Sequence, residues 1–543
     1  MSKLTLFCSL FFIFNTSLLF AIPKYLRLSY TGETASTIAI VWNTDIDTET
    51  IVKYGKQQGS YTHSVQGTSF KANGELNYIH EVLLTGLEPD TVYFYIAGSN
   101  IDGFSEERIF KTGPEEDIYC ADFNFGYLGD NRPDPTFGGG ENWPQILEQC
   151  AAHKPNFLIN GGDLVIDGDK IDQWVKFLGW TEKVASTIPL MPTIGNHDDG
   201  PGQGDTANYN QIFALPRSSG IYGSNTEDYY YFTYGNAIFI SLSTQTFKDG
   251  NIPFEKQAKW LDEVLTKNPK KWKFVYYHHP TYTKNVVFDI SHPPNEVNQN
   301  SAFVPIFDKH HVDIVFTSHN HWYERFEPSA CSNSGKPDSD QPCSVGANNF
   351  DKGTVYIVSG GAGAFTIPGL LCGSLKGRVT CTGDHHYINV KIKNETLIYE
   401  AYSAYPQQNK IMDSFTITKS KDNCLILDDA GYKDIIYDSE NDVDIYDIEL
   451  KDIHTDILYS DILYADTVDV KDEKDDDITE DIISYDSQLS DIIEFADISD
   501  IYIDDIFSDT KLKDSISIYD IAYKKDSSNE PDETSGCGCN NLE

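Results

Sequence analysis

Two kinds of hydrophobic spacing divide the chain. From about residue 23 to about 113, short runs either alternate apolar and polar positions or are rich in β-branched and aromatic residues: LRLSY, STIAIVW, TIVKYG, HEVLLTGL and TVYFYIAG, with turn residues between them. This pattern predicts strands throughout, and a small all-β sandwich is the fold it fits. From about residue 121 to about 418 the spacing changes. The apolar runs FNFGYL, PNFLIN, PLMPTI, AIFISL, KFVYYH and DIVFTS read as buried strands, whereas residues 145–152, 172–178 and 257–265 repeat apolar positions at helical spacing. Strands interleaved with helices predict an α/β layered domain. Gly235-Asn236 lies between two of the strands, a hairpin signal that makes part of the sheet antiparallel. A mixed sheet is therefore expected.

Both ends depart from this alternation. Residues 1–21 begin with Lys3, run through an apolar stretch from Leu4 to Phe20 broken by Asn15-Thr16-Ser17, and reach Ala21. This is the order of a secretory signal, with an uncleaved N-terminal anchor as the alternative, and no later stretch resembles a transmembrane span. Secretion would place the mature protein in an extracellular or periplasmic location. After Cys424 the chain turns to repeated Asp-Ile, Asp-Ile-Tyr and Ser-Asp-Ile units. Their acidity argues for disorder, while their regular Ile and Tyr content argues for a degenerate solenoid or a stalk that binds calcium. Ser535-Gly-Cys-Gly-Cys-Asn540 leaves disulfide, metal-binding and cell-surface attachment roles open for Cys537 and Cys539. The expected division is a signal over 1–21, a sandwich over 22–115, a second domain over 116–420 and an acidic repetitive tail over 421–543.

Charge sharpens this division. The formal net charge is −42, and about two-thirds of it falls after Lys421. The chain ahead of the tail is only moderately acidic, yet it has no basic patch to neutralise a row of phosphates. Nucleic acid is excluded as a partner on that ground, and an anionic membrane is disfavoured. Small phosphorylated substrates are compatible, because bound metal ions invert the local field. Ten cysteines fit an oxidising compartment. Cys331/Cys343 and Cys372/Cys381 are near enough in sequence to pair within loops, with Cys120/Cys150 as a third pair.

The candidate chemistry lies just after the predicted strands in five short motifs: Gly129-Asp130, Gly161-Gly162-Asp163, Gly195-Asn196-His197, His278-His279-Pro280 and Ser318-His319-Asn320-His321. Asp, Asn and neutral His are oxygen and nitrogen donors for Zn, Fe or Mn. A carboxylate such as Asp163 can bridge two ions about 3.5–4 Å apart, and an amide such as Asn196 adds a ligand without charge. The spacing His319-x-His321 points two imidazoles the same way along an extended segment. Singly, Gly129-Asp130 reads as a turn and His278-His279 as a strand end. The set, in this order, is the signal. His310-His311 read as surface or packing residues of a helix.

Taken together these motifs resemble the calcineurin-like metallophosphoesterases, and the upstream β-domain resembles that of the purple acid phosphatase branch, over residues 23–415. Residues 86–95 resemble the turn and following strand of fibronectin type III domains, where a tyrosine, here Tyr93, bonds back to the backbone. The resemblance implies a four-layer αββα catalytic domain with mixed sheets, and so an α/β (α+β) chain. It implies two divalent or trivalent metal ions, Fe, Zn or Mn. Asp130, Asp163 and His321 would hold the first, and Asp163, Asn196, His278 and His319 the second. His197 would stay off the metals. Two close cations lower the pKa of a water between them, and the hydroxide attacks phosphorus in line. His197 would stabilise phosphoryl charge, and protonated His197 or His292 would assist the departing alkoxide, with His279 a weaker candidate. Tyr323-Glu324-Arg325 continues the family pattern, and a Glu324–Arg325 pair is expected to support the histidine loop. Gly360-Gly361-Ala362-Gly363 reads as a tight turn near the site.

Two positions depart from the family at the first ion. The purple branch has a tyrosine three residues after the bridging aspartate, where this chain has Ile166. Other metallophosphoesterases place a histidine two residues after the first aspartate, where this chain has Arg132. The first ion is thus expected to be held loosely and the protein not to be purple. Arg132 would either present its guanidinium fork to the substrate phosphate or serve the structure. The function expected is hydrolysis of phosphate monoesters by a secreted, acid phosphatase-like enzyme. Diester or nucleotide pyrophosphate cleavage on the same scaffold, and surface binding by a decayed catalytic domain, are the alternatives.

Overall fold

The structure is a computed structural model that describes residues 21–116, 120–132, 140–200, 204–244, 253–284, 297–336, 339–407 and 409–420, together with the backbone of 425–428 and 431–434. Residues 1–20, His292 and most of the acidic tail, with Cys537 and Cys539, lie outside the described residues.

Alternating apolar positions fold the first part of the chain into two face-to-face antiparallel sheets. Lys24–Ser29, Ile38–Thr44, Tyr78–Leu84 and Thr68–Lys71 form one sheet in that order. His63–Gln66, Ile51–Gly55, Val92–Ser99 and Gly103–Phe104 form the other, with Arg108–Lys111 also paired to Val92–Ser99. Trp42, Val52, Leu84 and Tyr95 are buried between them. The Tyr93 hydroxyl accepts the Glu88 N–H at 2.9 Å, the back-bond expected of this tyrosine. The sandwich is fastened to the second domain by buried polar groups as well as by apolar packing. Arg27 Nε donates to the Ile212 carbonyl at 2.7 Å, and the Tyr95 hydroxyl donates to that of Ser186 at 2.7 Å.

The longer apolar runs build two mixed sheets. The first has the order Leu190–Pro192, Phe157–Asn160, Asp122–Leu128, His386–Lys393, Thr396–Ser403, Ile411–Thr418, with the first three strands parallel and the rest antiparallel. The second has the order Tyr230–Tyr234, Ala237–Ser241, Trp272–Tyr276, Ile314–Thr317, Val355–Ser359, Tyr323–Phe326, Arg378–Thr382. Its four strands from Ala237–Ser241 to Val355–Ser359 are parallel. Aromatic rings fill the space between the sheets: Phe125 lies 5.0 Å from Phe239 and 5.2 Å from Phe274, centroid to centroid. Helices Trp143–Ala151 and Ile171–Ala185 lie with the first sheet, and Phe254–Lys267 and Val297–His310 cover the outer face of the second through Leu261, Val264, Phe303 and Phe307. The result is helix, sheet, sheet, helix.

The three predicted helices and the hairpin at Gly235 (φ 54°) are present. Helix Val297–His310 ends at His310, where a helix is expected, but the apolar spacing does not outline the rest of it, because Pro305 interrupts it and its buried face includes Gln299 and Asn300, which blur the period. Cys331–Cys343 and Cys372–Cys381 are disulfides. The expected Cys120–Cys150 pair is not formed. Cys150 is a free, buried cysteine on the inner face of its helix, where its sulfur packs on Gly126. Cys120 precedes that strand, about 20 Å of extended chain away from Gly126, and a disulfide needs Cα atoms within about 7 Å. Cys120 belongs to a different disulfide. No helix among the described residues is long and apolar enough to cross a membrane.

Candidate metal centre

All five motifs sit just past the carboxyl ends of parallel strands, where an open α/β sheet gathers its loops. Asp130 comes after the strand ending at Leu128, Asp163 after that ending at Asn160 and Asn196 after that ending at Pro192; His278 and His319 come after those ending at Tyr276 and Thr317. The glycines let these turns touch. A Cβ at Gly129 or Gly161 would run into the Ser318 hydroxyl, and one at Gly195 into Asp163. Asp130, Asp163 and His319 have φ of 55°, 57° and 65°, a left-handed conformation that non-glycine residues seldom adopt. Backbone bonds hold this strain in place. Asp130 N–H donates to Gly162 O at 3.0 Å, and Arg132 N–H donates to Asp163 O at 3.1 Å.

Donor atoms of Asp130, Asp163 and His321 lie within 4.8 Å of one another, all buried. Asp130 Oδ2 accepts the His319 N–H at 2.8 Å. Its Oδ1 has no hydrogen-bond partner among the described residues and lies 3.3 Å from His321 Nε2. His321 Nδ1 is 2.8 Å from the Phe365 carbonyl, so it carries the proton of the neutral ring and Nε2 turns a lone pair toward the carboxylate. A lone pair facing a buried, unsatisfied carboxylate oxygen fits a shared cation.

A second group adjoins the first through Asp163. His278 Nδ1 is 2.9 Å from Gly161 O, again orienting the ring. Its Nε2 lies 3.2 Å from Asp163 Oδ1 and 3.0 Å from Asn196 Oδ1, and His319 Nδ1 lies 3.1 Å from Asn196 Oδ1. Ligands bonded to one ion at about 2.0–2.1 Å stand roughly 3 Å apart, so these spacings match a common ion. Burial lowers the His278 pKa, but Asp163 beside it outweighs burial and carries it up to about 9. Burial would raise the Asp163 carboxyl; His278, His197 and Arg132 hold it well below its ordinary value instead. The two shifts are one attraction seen from both partners: the carboxylate of Asp163 and positive charge beside it stabilise each other.

The remaining candidates surround the two groups. His197 lies outside both; its Nδ1 is 2.7 Å from the Ile166 carbonyl, its Nε2 is 4.0 Å from Asp163 Oδ2, and 31% of its side chain is exposed. Burial lowers its pKa despite Asp163. Arg132, with 10% of its side chain exposed, places Nε 3.3 Å from Asp163 Oδ2. The Gly360–Gly363 turn lies beside the site, where Ala362 N–H donates to Gly129 O at 2.9 Å. The expected Glu324–Arg325 pair is replaced by two separate ones. Glu324 pairs with Arg378, while Arg325 makes a bidentate pair with Asp413 at 2.6 and 2.9 Å. The cause is the strand: neighbours in Tyr323–Phe326 point to opposite faces of the sheet.

One residue joins the framework without a motif-level signal of its own. Asp198 is buried and accepts the N–H groups of Asp163, Leu164, Val165 and Gly195 at 2.7–3.1 Å, tying two motif loops together. Its one mark in the sequence is its place directly after Asn196-His197. His279 offers a nitrogen within 4.8 Å of those of His278 and His319.

Two clusters of side chains able to ligate metal ions, joined by one carboxylate at the strand ends of an αββα domain, are the arrangement of a metallophosphoesterase. Residues 118–323 match the family model of calcineurin-like phosphoesterases, and residues 23–112 match that of the purple acid phosphatase N-terminal domain. The chain thus pairs a purple acid phosphatase N-terminal domain with a calcineurin-like phosphoesterase domain and is a hydrolase of phosphoric esters. It is 28% identical to acid phosphatase type 7 of Mus musculus over 364 residues, covering 63% of this chain and 78% of the mouse protein. It is 29% identical to purple acid phosphatase 23 of Arabidopsis thaliana over 317 residues, covering 50% of this chain and 65% of the plant protein. Among solved structures, a purple acid phosphatase from yellow lupin seeds shares the fold with a TM-score of 0.59 at 22% identity, covering 73% of this chain and 74% of the lupin chain.

Proposed function

We propose that this protein is an exported, acid phosphatase-like enzyme that hydrolyses small phosphate monoesters at a pair of metal ions. The observation that carries the reading is Asp163, whose two carboxylate oxygens face His278 on one side and Arg132 and His197 on the other, between the two donor groups. Asp130, Asp163 and His321 would hold one ion, and Asp163, Asn196, His278 and His319 the other. Their nitrogen and oxygen donors suit Fe, Zn or Mn. Two such ions, when bound, polarise a phosphoryl oxygen and lower the pKa of water. The first ion is the more weakly held, since Ile166 and Arg132 replace the aromatic or imidazole ligand of the family. Without a ligating tyrosine the iron-loaded protein is expected not to be purple. Arg132 and the partly exposed His197 would grip the phosphoryl oxygens, and in its protonated form His197 would pass its Nε2 proton to the leaving alkoxide; His292 is the second candidate for that step. Export rests on residues 1–21.

The test combines elemental analysis of the purified protein with hydrolysis of a monoester and a bis-ester of one chromogenic alcohol, before and after chelation. The expected result is bound transition metal, faster monoester turnover, and loss of activity on chelation that added Zn or Mn restores. No bound metal, or a much faster diester rate, would sink the proposal.

A further inference from the structure

We infer that His279 is a ligand of the second ion, which makes that site a three-imidazole site. This inference rests on the two-ion reading above and extends it. The donor nitrogens of His278, His279 and His319 all lie within 4.8 Å of one another. The His279 ring centroid is 4.4 Å from that of His319 and 5.0 Å from that of His278, so the three rings crowd around one point.

His279 is built into this position. It is buried, its Nδ1 lies 2.8 Å from the Thr244 hydroxyl, and its own N–H donates to the same oxygen at 3.3 Å. Its carbonyl accepts the Gln299 side-chain amide at 3.1 Å, and Pro280 restricts its backbone to extended conformations. With Nδ1 engaged by Thr244, Nε2 is the nitrogen this ring offers. That is the arrangement by which His278 and His321 are oriented, with one nitrogen anchored and the other turned inward.

The chemical consequence lies in the balance of donors. The first group has two carboxylates and one imidazole, a set that suits harder, oxygen-preferring ions. With His279 the second group has three imidazoles, the Asn196 amide and a share of Asp163, a set that suits zinc and its borderline neighbours.

The experiment measures metal binding, not turnover. Zn²⁺ is titrated into the metal-free full-length protein against a competing chelator, and the visible absorption of the Co²⁺-loaded protein is recorded, for wild type, His279→Ala and Thr244→Val. His279→Ala should weaken the tighter class of Zn²⁺ site by about 100-fold or more and change the Co²⁺ spectrum, and Thr244→Val, which removes only the orienting hydroxyl, by about 10-fold. Thr244→Val carries the test should His279→Ala fail to fold, which its melting curve reports. Wild-type Zn²⁺ affinity and Co²⁺ spectrum in the variants would overturn the ligand role of His279 while leaving the two-ion reading in place. A wild-type protein that takes up neither ion would overturn both.

Discussion

Asp163 is held in a left-handed turn and touches both donor groups, so charge and shape can be separated there. Asp163→Asn keeps the shape and removes the charge, and Asn196→Ala removes an amide within 3.1 Å of two imidazoles. Each is expected to lower turnover by at least about 100-fold with the fold retained, as read by steady-state kinetics beside circular dichroism. Near wild-type rates in both would end the two-ion reading. A second prediction concerns protons. His80 is buried in the sandwich, stacked on Trp42, with its nitrogens 2.7 Å from the Thr44 and Thr50 hydroxyls. Burial lowers its pKa from the ordinary 6.5 to about 4. The unfolded chain therefore binds more protons between those values. The stabilisation is complete above pH 6.5 and is lost as pH falls toward 4. His80→Gln should flatten the rise of Tm with pH across that window; an unchanged slope would show that His80 contributes nothing to it.

Elements, more than single residues, aim the centre. The parallel strands of two different sheets end on the same side, and the loop His319–His321 leads at once into strand Tyr323–Phe326, whose alternate side chains are clamped from both faces. Arg325 and Asp413 form a bidentate clamp, with the guanidinium 4.9 Å over the Phe415 ring. Arg325→Met would leave the half-buried Asp413 carboxylate with the Tyr323 hydroxyl but no cation, and should cost about 2–3 kcal/mol, measured by denaturant unfolding. A loss below about 1 kcal/mol would put the pair with ordinary surface bridges. The strands were legible because buried strands are continuous apolar runs. Helix Val297–His310 was legible only at its His310 end, since buried amides and a proline hide its period. The Cys120/Cys150 expectation failed for a related reason: nearness in sequence says nothing about which face of a helix a thiol occupies.

At the scale of the molecule, sandwich and phosphoesterase domain share one continuous apolar core. Removing the sandwich would strip the Ile212 and Ser186 carbonyls of Arg27 and Tyr95 and expose apolar surface beneath. A fragment spanning 116–420, the proposed catalytic domain, should therefore melt well below the longer protein or aggregate. Cooperative melting at the same temperature would show that the sandwich is an independent module. The amino-acid sequence by itself determined the donor types, their order along the chain and their places after buried strands, because apolar runs and turn residues are local properties. Only the tertiary structure decided that Asp198 ties two loops together, that Arg132 rests on Asp163, that Glu324 and Arg325 take separate partners, and that His279 joins His278 and His319. Those facts are distances between strand ends of two sheets, and they exist only once the aromatic core between the sheets has closed.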